Sequence, residues 1–125
     1  MGGENGVEFL GYVTDEELGE LYRGAICVIV PSLMEGFGLP ALEAMERGAL
    51  VVTSNISSLR EICRDAALYF DPNSTDDMSR MMMDVYKKKN KFRINKNKGL
   101  ARAKDFSWEM MAEQTLKVYE SCVSL

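Results

Sequence analysis

The sequence predicts an open α/β fold, with a parallel sheet of about four strands and helices on its faces. Two observations carry this. Apolar runs of strand length alternate with helical patterns along the whole 125-residue chain. AICVIVPS (25–32) and ALVVTS (49–54) are continuously apolar rather than alternating, as strands are when helices cover both faces of a sheet.

The elements follow in order. MGGENG (1–6) is polar and glycine-rich and reads as a linker or cloning remnant, leaving 7–125 as the domain. VEFLGYV (7–13) is a candidate first strand. The next stretch reads as a helix: Thr14 and Glu17 have capping-box spacing, Leu18, Leu21, Tyr22 and Ala25 share one face, and Gly24 is a stop. AICVIVPS is the second strand, closed by Pro31. A helix runs from about Pro40 to Arg47, with proline in its first turn and Gly48 after it. ALVVTS is the third strand. Ser58 and Glu61 mark a short helix, SLREICR, before ALYF (67–70), the fourth strand, which Asp71-Pro72 breaks. Ser74 to Lys89 reads as a helix with Asp76 and Asp77 at its start and lysines at its end, the arrangement its dipole favours. Met78, Met81, Met82 and Val85 line one face. KKKNKFRINKNK (87–98) reads as a basic connector. A last helix begins near Ser107 and places Trp108, Met111, Ala112, Leu116 and Tyr119 on one apolar face.

Composition narrows the function. The chain holds one small domain's worth of residues, and 46% of them are hydrophobic, enough for a core. No histidine occurs, which excludes histidine triads, histidine bases and histidine metal ligands. The net charge of −4 argues against a general nucleic-acid or anionic-membrane binder. Cys27, Cys63 and Cys122 are far apart and form no CxxC, so a zinc ribbon or thiol–disulfide site is not expected. Cys27 reads as a small buried hydrophobe. Reduced thiols, no signal-like opening and no apolar run near membrane-spanning length predict a cytoplasmic setting.

One stretch carries chemistry. EGFGLPALE (35–43) directly follows the AICVIVPS strand, and open α/β sheets bind ligands at the carboxyl ends of their strands. Gly36 and Gly38 let a ligand approach the main chain, and the helix that follows offers free amides and the positive end of a dipole. Together these suit phosphate. Neither the Walker pattern nor a full GxGxxG is present. The two acids repel phosphate but accept hydrogen bonds from sugar hydroxyls. A diphosphate over the glycine turn, with one sugar at Glu35 and another at Glu43, describes a nucleotide-diphosphate sugar. The competing reading is a solvated helix sector in which Glu43 pairs with Arg47 four residues on, worth about 0.2–0.5 kcal/mol.

EGFGLPALEAM (35–45) resembles the E-x7-E motif of retaining GT-B glycosyltransferases, especially glycosyltransferase family 4 (group 1). FLGYVTDEELGELY (9–22), residues 25–54, SLREICRDAALYFDPNSTDDM (58–78) and FSWEMMAEQTLKVY (106–119) are similar to the family's successive segments. The resemblance implies a Rossmann-like sheet forming the later part of the C-terminal, donor-binding domain. It implies a parent enzyme that transfers a hexose-type sugar, with retention, from a UDP-, GDP- or ADP-linked donor to a glycan, lipid or small-molecule acceptor. It places Glu35 in the catalytic position, on hydroxyls of the transferred sugar. Gly36, Phe37 and Gly38 would offer backbone to that sugar and the diphosphate, and Leu39 would lie by the phosphates or nucleoside. Glu43 would hold the ribose, Tyr12 and Val13 would lie near the base, and Pro31 and Ser32 would support the loop. No cofactor and no bound metal are implied, and Asp76-Asp77 reads as helix-start chemistry instead.

The N-terminal acceptor domain and the first two strand–helix units of the donor domain have no counterpart here. The isolated chain is therefore expected to be inactive. The alternatives are a non-catalytic nucleotide-sugar-binding module and an inactive structural fragment. The first strand (7–12) would lose its usual sheet neighbour. It is expected either to pair beside AICVIV or to leave an edge that a second copy covers. The basic stretch 87–98 holds seven of the fifteen Lys and Arg residues. It reads as a solvated surface, with contact to an anionic membrane or acceptor as its alternative. Met81-Met82-Met83 is expected to fill the core, and Trp108 to anchor the last helix in it.

Overall fold

The computed structural model describes residues 6–123. The elements are α1 (Asp15–Gly24), β1 (Val28–Val30), α2 (Leu39–Glu46), β2 (Val51–Ser54), α3 (Ser57–Cys63), a 3-10 turn (Arg64–Ala66), β3 (Leu68–Phe70), α4 (Thr75–Lys87), a second 3-10 turn (Lys89–Phe92), α5 (Arg93–Ala103) and α6 (Trp108–Val123). The open α/β reading holds. The sheet is parallel in the order β1-β2-β3, with Val30 opposite Thr53 and Ser54 opposite Phe70.

Every residue of β2 is buried, as the continuous apolar run requires of a central strand covered on both faces. One core holds Val30, Ala41, Ala44, Met45, Leu59 and Ile62 with Phe106 against them; it lies under α2 and α3. The other holds Leu50, Val52, Phe70 and Val85, with Met78, Met81 and Phe92 closing it. Two polar side chains in β2 are satisfied internally: the Thr53 and Ser54 hydroxyls donate to the Val30 carbonyl at 3.1 and 3.4 Å. They tie the end of β1, where the candidate loop departs, to the central strand.

The caps explain the helix starts. The capping box at α1 is complete, with the Glu17 amide donating to Thr14 Oγ1 and the Thr14 amide donating to Glu17 Oε2 at 2.8 Å. Ser74 caps α4 by accepting from the Asp77 amide, and the Asp71 amide donates to Asp77 Oδ2. That is the helix-start role expected of Asp77. α3 instead starts after Ile56 with no side-chain cap, one residue earlier than Ser58 suggests.

Four expectations are corrected. The sheet has three strands, not four. Residues 7–13 form no strand, pair with neither β1 nor β3, and expose Val7, Phe9 and Tyr12, the last at 93%. An apolar segment with no partner for its amides and carbonyls has nothing to hold it extended, and Gly11 turns it with φ +67.

The basic stretch 87–98 is not a connector but the second 3-10 turn and most of α5. Tertiary packing makes α5 despite its poor helical pattern. Gly99, buried inside α5, lets Met45 of α2 approach to 3.1 Å from where a side chain would begin. Trp108 is not a core anchor. It is 69% exposed, and no described residue of α6 is buried. Likewise only Met81 of the methionine triplet packs into the core, while Met82 and Met83 face solvent. Cys27 is half-buried beside the second core, and burial pushes its thiol up. The reading of 1–6 falls almost wholly outside the described residues.

α5 is also held by charge. Lys98 Nζ bonds Asp65 Oδ2 at 2.6 Å, and Asn95 donates to the Asp65 carbonyl. Lys98 holds the Asp65 carboxyl below its ordinary value through its hydrogen bond and charge. A carboxylate lowered on folding adds stability that is present above its unfolded pKa near 4 and is lost as pH falls through the folded one. Lys98→Met is therefore expected to flatten the acid limb of the stability profile below about pH 4, read as urea midpoints against pH. Near pH 7 the change should be small, because the pair is exposed.

Candidate functional site

The three parallel strands end at Val30, Ser54 and Phe70, so the loops to α2, α3 and α4 open on one edge of the sheet. The loop from Pro31 to Gly38 is the longest of these. Ser32 Oγ donates to Glu35 Oε2 at 3.0 Å, and both residues are half-buried. This fixes the carboxylate of Glu35 from within the loop and leaves its other oxygen for a ligand.

Gly38 is buried and begins α2 with φ +101. A Cβ there would lie 2.5 Å from Leu59 Cδ2 of α3. Its glycine is thus required by the fold, both for its left-handed backbone and for the close approach of α3. Gly36 differs. It is exposed, and nothing lies within 4 Å of a Cβ built on it. The protein itself does not need glycine there, which leaves open backbone facing solvent at the strand-end edge. Pro40 has no amide hydrogen, and the Ala41 and Leu42 amides both donate to the Gly38 carbonyl. The amides left for a ligand at this helix end are those of Leu39 and the preceding turn.

Glu43 is exposed on the second turn of α2. Its neighbour is Tyr22 of α1, whose phenol is pushed up first by burial and then by the charge of Glu43. The surface pair with Arg47 does not form among the described residues. The Arg47 guanidinium instead lies against Gly19 of α1, 3.4 Å from where a side chain would begin. Arg47 thus packs against α1.

The structure thus gathers Ser32, Glu35, Gly36, Phe37, Gly38 and Leu39 in one turn, with Glu43 one helical turn on. Tyr12 and Val13 lie outside this turn in sequence, just before α1. Tyr12 points to solvent. Val13 lines an open groove with Leu10, Leu21 and Ala25, rimmed by charges of both signs: Asp15, Glu16, Glu17 and Glu20 with Arg23 and Arg47.

Phe37 meets Phe106 edge-on, with ring centroids 5.8 Å apart. Phe106, Leu59 and Arg102 therefore touch the site or its support, and linear reading missed all three. The phenylalanine of FSW was the available signal, but its place beside Phe37 depends on α5, which reads as a connector.

The family model for glycosyl transferases group 1 matches residues 1–117. The chain belongs to this family. Among curated group 1 relatives it is 44% identical over 117 residues to O-antigen chain mannosyltransferase B of Escherichia coli, covering 94% of this chain and 31% of that protein. It is 34% identical over 116 residues to the MMP alpha-(1->4)-mannosyltransferase of Mycolicibacterium hassiacum, covering 90% of this chain and 28% of that protein. The sucrose-phosphate synthase of Thermosynechococcus elongatus superposes with a TM-score of 0.83 at 27% identity, over 94% of this chain and 30% of the other. The chain spans about a third of the length of each of these three proteins.

Proposed function

We infer that this chain is the donor-binding part of a retaining, family 4-type group 1 glycosyltransferase. Its ligand is a nucleotide-diphosphate sugar. The Ser32–Glu35 pair, in a turn that opens α2 and precedes Glu43, carries this reading. In it Glu35 holds hydroxyls of the transferred hexose, the Gly36–Leu39 backbone meets that sugar and the diphosphate, and Glu43 holds the ribose. The relatives named as mannosyltransferases make mannose the first sugar to try. The negative charge that develops on the departing diphosphate is stabilised by the helix end, and turnover needs the acceptor side of a cleft, so the isolated chain binds without turning over.

Calorimetric titration with UDP, GDP and ADP sugars tests this. One nucleotide class should bind, and Glu43→Gln, which keeps shape but removes the charge, should weaken it roughly 10- to 100-fold, as expected for a charged hydrogen-bond acceptor. Binding unaffected by Glu43→Gln would remove Glu43 from the site. No binding by any of the three would overturn the donor reading for this chain.

A further inference from the structure

We propose that Phe106 is a positioning residue that holds the 31–38 loop in one conformation through Phe37. Two of the loop's apolar side chains, Leu33 and Met34, point to solvent, and its Ser32–Glu35 hydrogen bond is internal. Gly38 anchors the far end against Leu59. Phe37, next to the exposed Gly36, meets the body of the domain at Phe106.

Phe106 is itself held. It packs against the core under α2, and the Arg102 guanidinium lies over its ring at 4.5 Å. Arg102 is fixed by hydrogen bonds to the Ile62 carbonyl at 2.8 Å, the Glu61 carbonyl at 3.2 Å and Asp105 Oδ2 at 2.8 Å. A planar cation with three partners has little freedom, so the ring stacked on it is a rigid stop. An edge-to-face pair on such a stop favours the docked loop over undocked ones. Undocked conformers reduce apparent affinity in proportion to their population. The junction between α5 and α6 thus sets the geometry of a loop far away in sequence. Its consequence for donor binding rests on the function proposed above.

The test uses the 125-residue chain. In a Trp108→Phe background, Phe37→Trp gives a single fluorophore in the loop. Phe106→Leu should raise its acrylamide quenching and red-shift its emission, and Phe106→Tyr, which keeps the ring, should restore both. Far-UV circular dichroism confirms that each variant is folded. Nucleotide-sugar affinity should fall roughly 2- to 10-fold in Phe106→Leu with tryptophan absent from position 37. Phe37→Leu should have the same effect, and the double variant should be no worse than either. Quenching unchanged by Phe106→Leu in a folded chain would overturn the proposal, as would additive losses in the double variant. If the unmodified chain binds no nucleotide sugar, the donor reading falls, and the quenching comparison alone still decides whether Phe106 holds the loop.

Discussion

Gly38→Ala is expected to lower the stability of the chain by about 2–5 kcal/mol. Two independent costs add. Gly38 sits at φ +101, where an L side chain costs about 1–2 kcal/mol. The new methyl would also lie 2.5 Å from Leu59 Cδ2, and overpacking of a filled core costs about 1–3 kcal/mol. Leu59 is fully buried, so it cannot swing into solvent to make room. Leu59→Ala alone should cost about 2–5 kcal/mol through the cavity it leaves. The double variant should cost less than the sum, because the truncated residue 59 no longer meets the methyl. Urea midpoints followed by far-UV circular dichroism measure all three. Strict additivity would show that the backbone angle, and not the contact with α3, is what demands glycine.

Arg102→Met should cost a similar amount, about 2–4 kcal/mol. Its side chain is only 13% exposed. The guanidinium meets two carbonyls at the end of α3 and stacks on Phe106. Hydrogen bonds from a charged group contribute about 1.5–3 kcal/mol, and the carbonyls left behind are poorly reached by water. Arg102→Lys should recover only a minor part, since an ammonium cannot supply the planar fork or the stacking face. Recovery of full stability by lysine, measured by the same urea transitions, would mean that charge alone matters there.

Much of this molecule was legible in its sequence. The strands β1, β2 and β3 announce themselves as continuous apolar runs, and α1, α2 and α4 by caps, proline and glycine at their proper ends. The loop 31–38 could be placed because it follows a buried strand and precedes a helix. Other features escaped for physical reasons. VEFLGYV has strand composition, but composition supplies no hydrogen-bond partner. α5 has a weak helical pattern and a glycine at its centre, and it exists because that glycine lets it lie on Met45. The apolar face of α6 does not imply burial unless something stands opposite it. Phe106 and Arg102 support the site across distances in sequence that no local spacing encodes.

The sole tryptophan of the chain, Trp108, is the first residue of α6 and stands in solvent. No described residue of α6 is buried, so that helix rests mainly on local propensity, near the length at which isolated helices are marginal. Tryptophan emission will therefore follow the fraying of α6, whereas circular dichroism also follows the collapse of the sheet and its covering helices. The two transitions will not coincide, and the chain will depart from two-state unfolding although its core is cooperative. A free energy taken from intrinsic fluorescence would belong to α6 and not to the domain that carries the loop.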